Sequence, residues 1–270
     1  MNYRHTYHAG NFADVVKHLT QVAILQHLAL KPSGFAVIDT HAGCGSYDLT
    51  GEEARRTGEA EVGIKRLDGL SDGNALLAAY LALALGARYP GSPLITAKML
   101  RPHDRLVAIE KHPADAAELT AQMRLFLRVR VEEGDGYRRL LALVPPPERR
   151  GLVIIDPPYE SPSEFAQAAH AFAGAYRRFA TGIYLIWFPI KSLAEANSFC
   201  GEVLASGVTK LLRLDVRRTD VAEGKLAAAG LLIVNPPWLL ESELRAALGL
   251  VAPRLGLDVH FETLAGDASA

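Results

Sequence analysis

Residues 152–159 read Leu-Val-Ile-Ile-Asp-Pro-Pro-Tyr, an apolar run that stops at an acid and two prolines. A short, continuous apolar run bounded in this way is typical of a buried parallel strand. Proline has no N–H to donate to a sheet, so two prolines force the chain out of the sheet into a rigid loop. The stretch therefore predicts a strand of a parallel sheet that ends in a loop carrying Asp156.

Strands of the same kind lie on both sides of this stretch, and helical patterns separate them. Upstream, three predicted strands lead into Asp39, Glu110 and Asp135. Strands that alternate with helices of roughly 10–15 residues indicate a parallel sheet covered by helices on both faces. The sequence therefore predicts an α/β fold. The remaining predicted strands are 183–188, 211–216, 231–234 and a weak last one at 258–261.

Residues 51–87 interrupt this alternation. The segment begins polar and charged and then becomes rich in alanine and leucine, which predicts a helical insertion. The turn-forming residues of 88–93 predict a loop that closes it. At roughly 100–200 residues per domain, a chain of 270 residues fits one domain with an insertion. We therefore expect one α/β domain, formed by residues 1–50 and 88–270, that carries the insertion at 51–87.

The composition argues against several classes of protein. The two cysteines, Cys44 and Cys200, form no closely spaced pair, which argues against a zinc site and fits a reducing compartment. No HxH or HExxH spacing occurs, so we expect no metal. No apolar run is long enough to span a membrane, and the N-terminus lacks the apolar core of a signal peptide. We therefore expect a cytoplasmic protein with no membrane partner.

The net charge gives no support for a nucleic-acid partner. The formal charge is −1, whereas dedicated nucleic-acid binders often carry a strong positive excess. Local basic clusters do occur, but each taken alone is typical of a solvated face. These clusters are Arg55–Arg56, Lys65–Arg66, Arg124/Arg128/Arg130, Arg138–Arg139, Arg177–Arg178 and Arg217–Arg218.

Acids follow four successive predicted strands, at Asp39, Glu110, Asp135 and Asp156. In an open α/β sheet, ligands bind outside the carboxyl ends of the strands. Acids at one edge of one sheet are therefore expected to converge on one cleft. A strand-end acid can also simply cap the next helix. That alternative explains one or two of the four comfortably, and explains all four less well because their local contexts differ.

The contexts of the first three acids suggest a nucleoside ligand. Residues 39–45, Asp-Thr-His-Ala-Gly-Cys-Gly, form a strand end and a glycine turn that resembles the adenosylmethionine-binding turn of Rossmann-like methyltransferases. Neither the GxGxxG fingerprint nor a P-loop is present. An ionised Glu110 can accept both ribose hydroxyls. Asp135 can accept from the amino group of an adenine ring, and helix capping remains open for both residues.

Asp156-Pro157-Pro158-Tyr159 is the most specific motif. The exocyclic amine of adenine is a poor nucleophile because its lone pair is delocalised into the ring. A carboxylate at Asp156 accepts one N–H and the carbonyl of Pro157 accepts the other, which holds the nitrogen in line with a methyl donor and stabilises the developing positive charge. The ring of Tyr159 offers a face on which a flipped base stacks.

A second Pro-Pro pair occurs in Asn235-Pro236-Pro237-Trp238, which also follows an apolar run. It sits too late in the strand order for a catalytic loop. We interpret it as a structural turn after a late strand.

These motifs resemble the class I amino-methyltransferases, and over nearly the whole chain they are similar to one bacterial family, the 23S rRNA (adenine(2030)-N6)-methyltransferases. The most specific block is the N-terminus, Tyr3-Arg4-His5-x-Tyr7-His8-Ala9-Gly10-Asn11-x-Ala13-Asp14-Val15-x-Lys17-His18. Further shared blocks, in order, are residues 39–47, Arg56-Thr57-Gly58-Glu59, 89–93, Glu110-x-His112-Pro113, Asp135-Gly136, 156–160, 176–182, Trp187-x-Pro189 and 235–238.

The resemblance implies a Rossmann-like fold with a mostly parallel, seven-stranded sheet. It implies S-adenosylmethionine as the cofactor and 23S rRNA, protein-free or an early precursor, as the partner of a monomeric enzyme. Asp156 would accept from the target N6 amine, and Tyr3 would lie near the RNA, with residues 1–18 forming a flap and the first helix. The expected cofactor-binding residues are His18, His41, Gly43, Ser92, Glu110, Asp135, Gly136 and Asp156.

Other activities remain open from the residues alone. A DNA adenine methyltransferase would share the motif at 156–159 but usually needs a larger target-recognition region than 51–87. Protein-glutamine methyltransferases usually carry Asn before Pro-Pro-Tyr, where this chain has Asp156. A non-catalytic adenosylmethionine- or RNA-binding module would be expected to have lost that acid. His18 and His41 could equally be packed histidines without a ligand.

Overall fold

A computed structural model describes residues 5–70, 73–86, 88–220 and 226–266. Helices and strands alternate along most of these ranges, as the sequence predicts. The helices are α1 Phe12–Ala29, α2 Glu52–Thr57, α3 Ala75–Ala84, α4 Ser92–Met99, α5 Pro113–Met123, α6 Gly136–Leu143, α7 Glu164–Arg178, α8 Leu193–Leu204 and α9 Leu240–Leu255. The strands are β1 Ala36–Asp39, β2 Ser46–Asp48, β3 Arg88–Pro90, β4 Arg105–Glu110, β5 Val129–Glu133, β6 Gly151–Ile155, β7 Ile183–Pro189, β8 Leu211–Arg218, β9 Ala228–Val234 and β10 Leu257–Ala265.

The main sheet has the strand order β10-β8-β9-β7-β6-β1-β4-β5. Strands β5, β4, β1, β6 and β7 pair in parallel, while β9 and β10 pair antiparallel to their neighbours. The predicted α/β fold with a mostly parallel sheet is confirmed. The expected count of seven strands is wrong, because the sheet in the described residues has eight. The eighth is β10, whose burial alternates along the strand at the edge of the sheet, so its sequence lacks the continuous apolar run of a central strand.

Two short strands lie outside the main sheet. The strands β2 and β3 pair antiparallel, with Asp48 opposite Arg88, at the two ends of the predicted insertion. Residues 88–93 were expected to be a loop, and that prediction is wrong in part because β3 and the start of α4 occupy them. Pro90, Gly91 and Pro93 are turn-forming residues, but Pro93 in the first turn of a helix satisfies the same backbone restrictions.

Helix α1 lies at the centre of one side of the sheet and is buried on nearly every face. Helices α3, α4 and α9 pack around it. Within 51–87 the structure places α2, a 3₁₀ turn at Ile64–Leu67 and α3. The apolar side chains of α3 join the same core as α1. The buried helix α1 is therefore the element on which the insertion and the sheet both pack.

The fold brings the four strand-end acids to one edge of the sheet. Strands β6, β1, β4 and β5 are consecutive neighbours, so Asp156, Asp39, Glu110 and Asp135 follow one another along that edge. We call it the carboxyl edge, since the parallel strands end there, and the opposite side the amino edge. Asn235–Trp238 follows β9, which runs antiparallel to β7, and therefore lies at the amino edge. Its interpretation as a turn far from the acids agrees with this placement.

Gly230 gives a direct test of this packing, because a Cβ added there would overlap the ring of Phe188 on the neighbouring strand. Overpacking a core typically costs about 1–3 kcal/mol, and we expect Gly230→Ala to lower the free energy of unfolding by that amount. The matched control is Gly201→Ala in α8, where a Cβ meets open space and should stabilise the helix by about 0.5–1 kcal/mol. Denaturant titration measures both, and equal effects would contradict the proposed packing of β7 against β9.

Candidate active site

A cavity of about 490 Å³ opens at the carboxyl edge, a volume suited to a nucleotide-sized ligand. Apart from Tyr3 and Asp39, it collects the site residues that the sequence predicted. These are His18, His41, Gly43, Ser92, Glu110, Asp135, Gly136, Asp156, Pro157 and Tyr159. Tyr3, expected on the substrate side, lies outside the described residues. Asp39 is fully buried beneath the cavity wall and is not among its lining residues.

Asp156 forms an ion pair with Lys17, a residue to which the sequence assigned no role. Nζ of Lys17 on α1 lies 2.5 Å from Oδ2 of Asp156 and 2.9 Å from Oδ1 of Asp14. Lys17 is buried, which acts to lower its pKa, but the two carboxylates outweigh burial and raise that pKa above its ordinary value. The ammonium therefore stays charged. It fixes one oxygen of Asp156 and leaves the other to accept from a ligand.

Asp14 connects this lysine to the N-terminal segment. Its Oδ2 accepts from the backbone N–H of Gly10 at 3.0 Å and lies 2.9 Å from Nε2 of His5. Burial acts to raise the pKa of Asp14, but the charges of His5 and Lys17 hold that pKa well below its usual range. The ionised Asp14 is thus the partner that allows a buried lysine to stand beside Asp156.

Residues 57–59 of the insertion hold the same N-terminal segment from the other side. Oε1 of Glu59 lies 2.9 Å from Nδ1 of His8, and Oε2 accepts from Nδ2 of Asn11 at 3.1 Å. The hydroxyl of Thr57 donates to the carbonyl of Tyr7 at 2.5 Å. The hydrogen bond to Glu59, opposed by burial, raises the pKa of His8. Because His8 and Asn11 line the cavity, the insertion shapes the site.

Glu110 closes the glycine turn. Its Oε2 accepts from the backbone N–H of Gly43 at 2.8 Å, and its Oε1 accepts from that of His112 at 2.7 Å. Burial raises the pKa of Glu110 in spite of these two donors. A carboxylate has about four lone-pair sites, so each oxygen keeps room for a hydroxyl group in the cavity.

Asp135 caps a helix and also faces the cavity. Its Oδ1 accepts from the backbone N–H of Arg138, the third residue of α6, at 3.1 Å. Its Oδ2 lies 3.9 Å from Nζ of Lys111. The capping alternative therefore holds for one oxygen. A Cβ on Gly136 would overlap the carbonyl oxygen of Thr40, so this position needs glycine to bring α6 against the turn after β1.

Both predicted histidines line the cavity in the neutral form. Burial lowers the pKa of His18 to about 3, helped by the charge of Lys17, and its Nδ1 lies 2.8 Å from the hydroxyl of Tyr89. Burial lowers the pKa of His41 to about 4, although Asp156 acts in the opposite direction. Neutral imidazoles donate and accept without adding charge.

The side chain of Ser92 is held by Asp39, the acid that does not line the cavity. Its hydroxyl donates to Oδ2 of Asp39 at 2.6 Å. Burial raises the pKa of Asp39 to about 7, although the bond from Ser92 acts to lower it. Asp39 thus acts on the cavity indirectly, by orienting a serine that lines it.

Tyr159 forms part of the cavity wall. Its φ of 51° is uncommon for a residue with a side chain. Its hydroxyl donates to the carbonyl of Trp187 at 2.9 Å, and its ring packs against Phe165 with centroids 4.5 Å apart. Only 7% of Tyr159 is exposed. The ring is therefore rigidly placed, and its role in base stacking stays a prediction.

The residues that the sequence analysis missed are His5, Asp14, Lys17 and Glu59. They belong to the blocks that carry the family resemblance but had been given no role. One signal was available: Asp14 and Lys17 are three residues apart, hence on one face of a helix, and that helix is otherwise largely apolar. Two opposite charges on the buried face of a helix require partners.

Comparison with known proteins extends this picture. Residues 32–262 match the family described as "Ribosomal RNA large subunit methyltransferase D, RlmJ". "Ribosomal RNA large subunit methyltransferase J" of Escherichia coli is 39% identical over 256 residues, covering 92% of this chain and 91% of its own. The Haemophilus influenzae protein of the same name is 38% identical over 257 residues, with 92% coverage of both chains.

The fold is also similar to that of solved structures. A Legionella pneumophila protein superposes with a TM-score of 0.87 at 31% identity, covering 95% of this chain and 98% of its own. A probable spermidine synthase from Corynebacterium glutamicum shares the fold alone, with a TM-score of 0.51 at 12% identity.

The sheet, with a cavity lined by acids where its parallel strands end, defines a Rossmann-like class I methyltransferase. Within that class, the chain belongs to the family of ribosomal RNA large subunit methyltransferase D, RlmJ. The resemblance inferred from the motifs is thereby confirmed. In the ranges that the structure describes, no helix is long and apolar enough to cross a membrane. Over the same ranges, no group of three His, Cys, Asp or Glu side chains could hold a metal ion.

Lys17→Met should lower the rate of methyl transfer by about 100-fold or more, because Asp156 loses its bonded cation. The carboxylates of Asp14 and Asp156 would then share a partly buried site, where burial and like charge favour proton uptake. Activity should therefore recover as pH rises. The pH–rate profile is the measurement, with Lys17→Arg and the exposed Lys65→Met as controls. Normal turnover with an unchanged profile would show that Lys17 does not act on Asp156.

Glu59→Gln should lower turnover by about tenfold while leaving cofactor affinity nearly unchanged. The substitution removes the charge that holds His8, so the N-terminal segment loses part of its anchor, and a small displacement of a positioned group slows a reaction strongly. Glu61→Gln is the matched control, because Glu61 is exposed and pairs only with Lys65. Separate determination of turnover and of cofactor affinity tests this, and a loss confined to cofactor affinity would contradict it.

Proposed function

We propose that this protein methylates the N6 amine of one adenine in 23S rRNA, with S-adenosylmethionine as the methyl donor. Family membership supports a methyltransferase that acts on the RNA of the large ribosomal subunit. The observation that carries the chemistry is Asp156, placed at the end of β6 by two prolines and fixed by Lys17. Position 2030 is proposed from the family resemblance.

The cavity residues fit the proposed cofactor by their chemistry. A nucleoside offers ribose hydroxyls and an amino group as donors, and Glu110 and Asp135 supply acceptors on neighbouring strands. His18, His41, Gly43, Ser92 and Gly136 complete the proposed binding surface. When bound, S-adenosylmethionine supplies a methyl group activated on a sulfonium. The neutral forms of His18 and His41 add no positive charge beside that cation, and the acids of the lining outnumber its lysines.

Asp156, Pro157 and Tyr159 are the proposed catalytic residues, with the ring of Tyr159 also proposed to bind the substrate base. The carboxylate oxygen that Lys17 does not hold accepts one N–H of the adenine amine, and the Pro157 carbonyl accepts the other. Both acceptors then stabilise the positive charge that develops on nitrogen during attack. The rigid loop keeps these acceptors in place, which lowers the entropic cost of aligning the amine. The charged Lys17 keeps Asp156 from acting as an isolated buried carboxylate.

The substrate side is formed by Tyr159 and the N-terminal segment. We propose that the target base leaves its stack and enters the cavity beside Tyr159, with Tyr3 and the rest of residues 1–18 covering it as a flap. The bonds from Glu59 and Thr57 to that segment support the further proposal that residues 51–87 are a subdomain that positions the flap. The α/β domain then comprises residues 1–50 and 88–270.

The remaining partner proposals follow from the same function. We propose a monomeric cytoplasmic enzyme that needs no metal and acts on protein-free or early precursor rRNA. Two buried free cysteines support a reducing compartment.

The decisive experiment is transfer of tritiated methyl groups to protein-free 23S rRNA, assembled large subunits and duplex DNA, followed by nucleoside analysis. N6-methyladenosine only in the rRNA is the expected result. Label in the DNA would favour a DNA adenine methyltransferase, and no label in any acceptor would favour a binding module.

In the same assay, Asp156→Asn and Asp156→Ala should lower turnover by about 100-fold or more, because the amine loses its charged acceptor. Both variants should still bind S-adenosylmethionine, as measured by calorimetry. Asp258→Asn, exposed on the edge strand β10, serves as the control. Substantial methylation by either Asp156 variant would overturn the assigned role.

A further inference from the structure

The amino edge of the sheet is strongly basic. Six strands, β1, β4, β5, β6, β7 and β8, run in the same direction, and each is entered from the end of a helix. Five of the six entering segments carry a cation, and for the sixth, which leads into β7, Arg177 and Arg178 end the preceding helix. Together the segments and these two arginines hold nine Lys and Arg but only two acids, in a chain whose net charge is −1. The nine are Lys31, Arg101, Arg124, Arg128, Arg149, Arg150, Arg177, Arg178 and Lys210. We call these nine residues the basic edge.

The two acids of these segments are already paired, and Glu243 at the start of α9 pairs with His27 near the end of α1. Asp104 is buried and accepts from Arg101, at 2.7 Å from Nε. Glu148 accepts from Nε of Arg105, the first residue of β4, at 2.7 Å. Neither acid is therefore available to neutralise the other cations. The excess of positive charge acts on neighbouring cations. Burial, and then the nearby charge of Arg101, lower the pKa of Arg150.

Part of the basic edge has a structural role. Cations near helix C-termini offset the helix dipole. Arg101 donates to the carbonyl of Ala29 at 2.9 Å, Arg150 to that of Ser33 at 2.9 Å, and Arg178 to that of Leu141.

The other six cations are not explained in this way. Their side chains are exposed, and within the described ranges none of them makes an ion pair or a hydrogen bond to a carbonyl. They are Lys31, Arg124, Arg128, Arg149, Arg177 and Lys210. These six cations are free to meet a partner.

Trp238 stands on the same edge and is 94% exposed. Its loop is rigid, because Nδ2 of Asn235 donates to the carbonyls of Ala180 and Gly182, both at 2.8 Å. The backbone N–H of Asn235 also donates to the carbonyl of Lys210 at 3.0 Å. An exposed aromatic ring on an anchored loop beside cations is the arrangement on which an unpaired base stacks.

We propose that the basic edge and Trp238 bind a second segment of the RNA substrate, remote from the segment that enters the cavity. At about 4.8 Å per strand, the seven strands from β8 to β5 span about 30 Å. A row of cations of that length fits the regularly spaced phosphates of a nucleic-acid backbone. The proposal rests on the proposed function, since it takes the partner to be the rRNA that is methylated.

The cavity itself gives the physical need for such a contact. Its lining holds seven acids and only three lysines, and a surplus of acids repels phosphates. Long-range attraction of a polyanion must therefore come from elsewhere on the molecule. The basic edge supplies it at the far end of the strands, so the RNA that reaches both sites must be a large folded one.

The test compares a triple variant, Lys31→Gln, Arg128→Gln and Lys210→Gln, with a charge-matched control of exposed residues away from this edge, Arg55→Gln, Arg66→Gln and Arg254→Gln. Filter binding to full-length 23S rRNA and to a short stem-loop that contains the target adenine is measured over a range of salt concentrations. For the long RNA we expect the affinity of the triple variant to fall at least tenfold and its slope of log K against log salt to fall by about 2.

Trp238→Ala alone should weaken binding to the long RNA about tenfold.

The short stem-loop separates this proposal from the proposed function. The triple variant should bind and methylate it like the unmodified protein, because the basic edge lies outside that contact. Equal losses on both RNAs, or losses no larger than those of the control, would overturn the proposal. Loss of binding to vesicles of anionic phospholipid with unchanged rRNA binding would overturn it in favour of a lipid partner. Because binding is read without methyl transfer, the result stands even if the acceptor nucleotide differs.

Discussion

One buried ammonium group organises the active side of this protein. Lys17 lies between Asp14 and Asp156 and thereby ties the first turns of α1 to the end of β6. Removing one member of a buried ion pair typically costs about 3–5 kcal/mol, because an unpaired charge is left behind. The three residues therefore act as a unit. Asp14 extends that unit into the N-terminal segment. Asn11 caps the start of α1 by accepting from the backbone N–H of Asp14, and His5 bonds to the carboxylate of Asp14.

The carboxyl edge and the amino edge of the sheet carry opposite charge. Acids gather where the parallel strands end, and cations gather where they begin, so a net charge near zero conceals two faces of opposite sign. Each face suits a different part of one task. Under the proposed function, the acidic cavity favours a sulfonium and an amine that becomes positive, whereas the basic edge favours the phosphates of the RNA. A protein with charge of only one sign on its surface would favour either a cationic cofactor or an anionic substrate, but not both.

The sequence predicted the parallel strands and the placement of the acids well, because both depend on local patterns. The apolar run before Asp156 and the two prolines after it leave little choice of structure. The bond between Lys17 and Asp156 joins residues 139 positions apart, and no local pattern records such a contact. Strand β10 was the hardest strand to predict, because an edge strand alternates in burial and lacks the apolar run. Glu59 was missed since its role comes from what it touches across the site.

The short pair β2 and β3 has a consequence for how the family can vary. The segment between Asp48 and Arg88 begins and ends at this pair, because these two residues lie opposite each other. With both ends already held together, added length between the 3₁₀ turn and α3 carries little further loop-closure entropy, about 0.6 kcal/mol for each doubling. Added residues at that point are therefore compatible with the paired ends and with the packing of α3 on α1. The bonds of Thr57 and Glu59 come before the 3₁₀ turn in the chain, so such insertions would leave them intact.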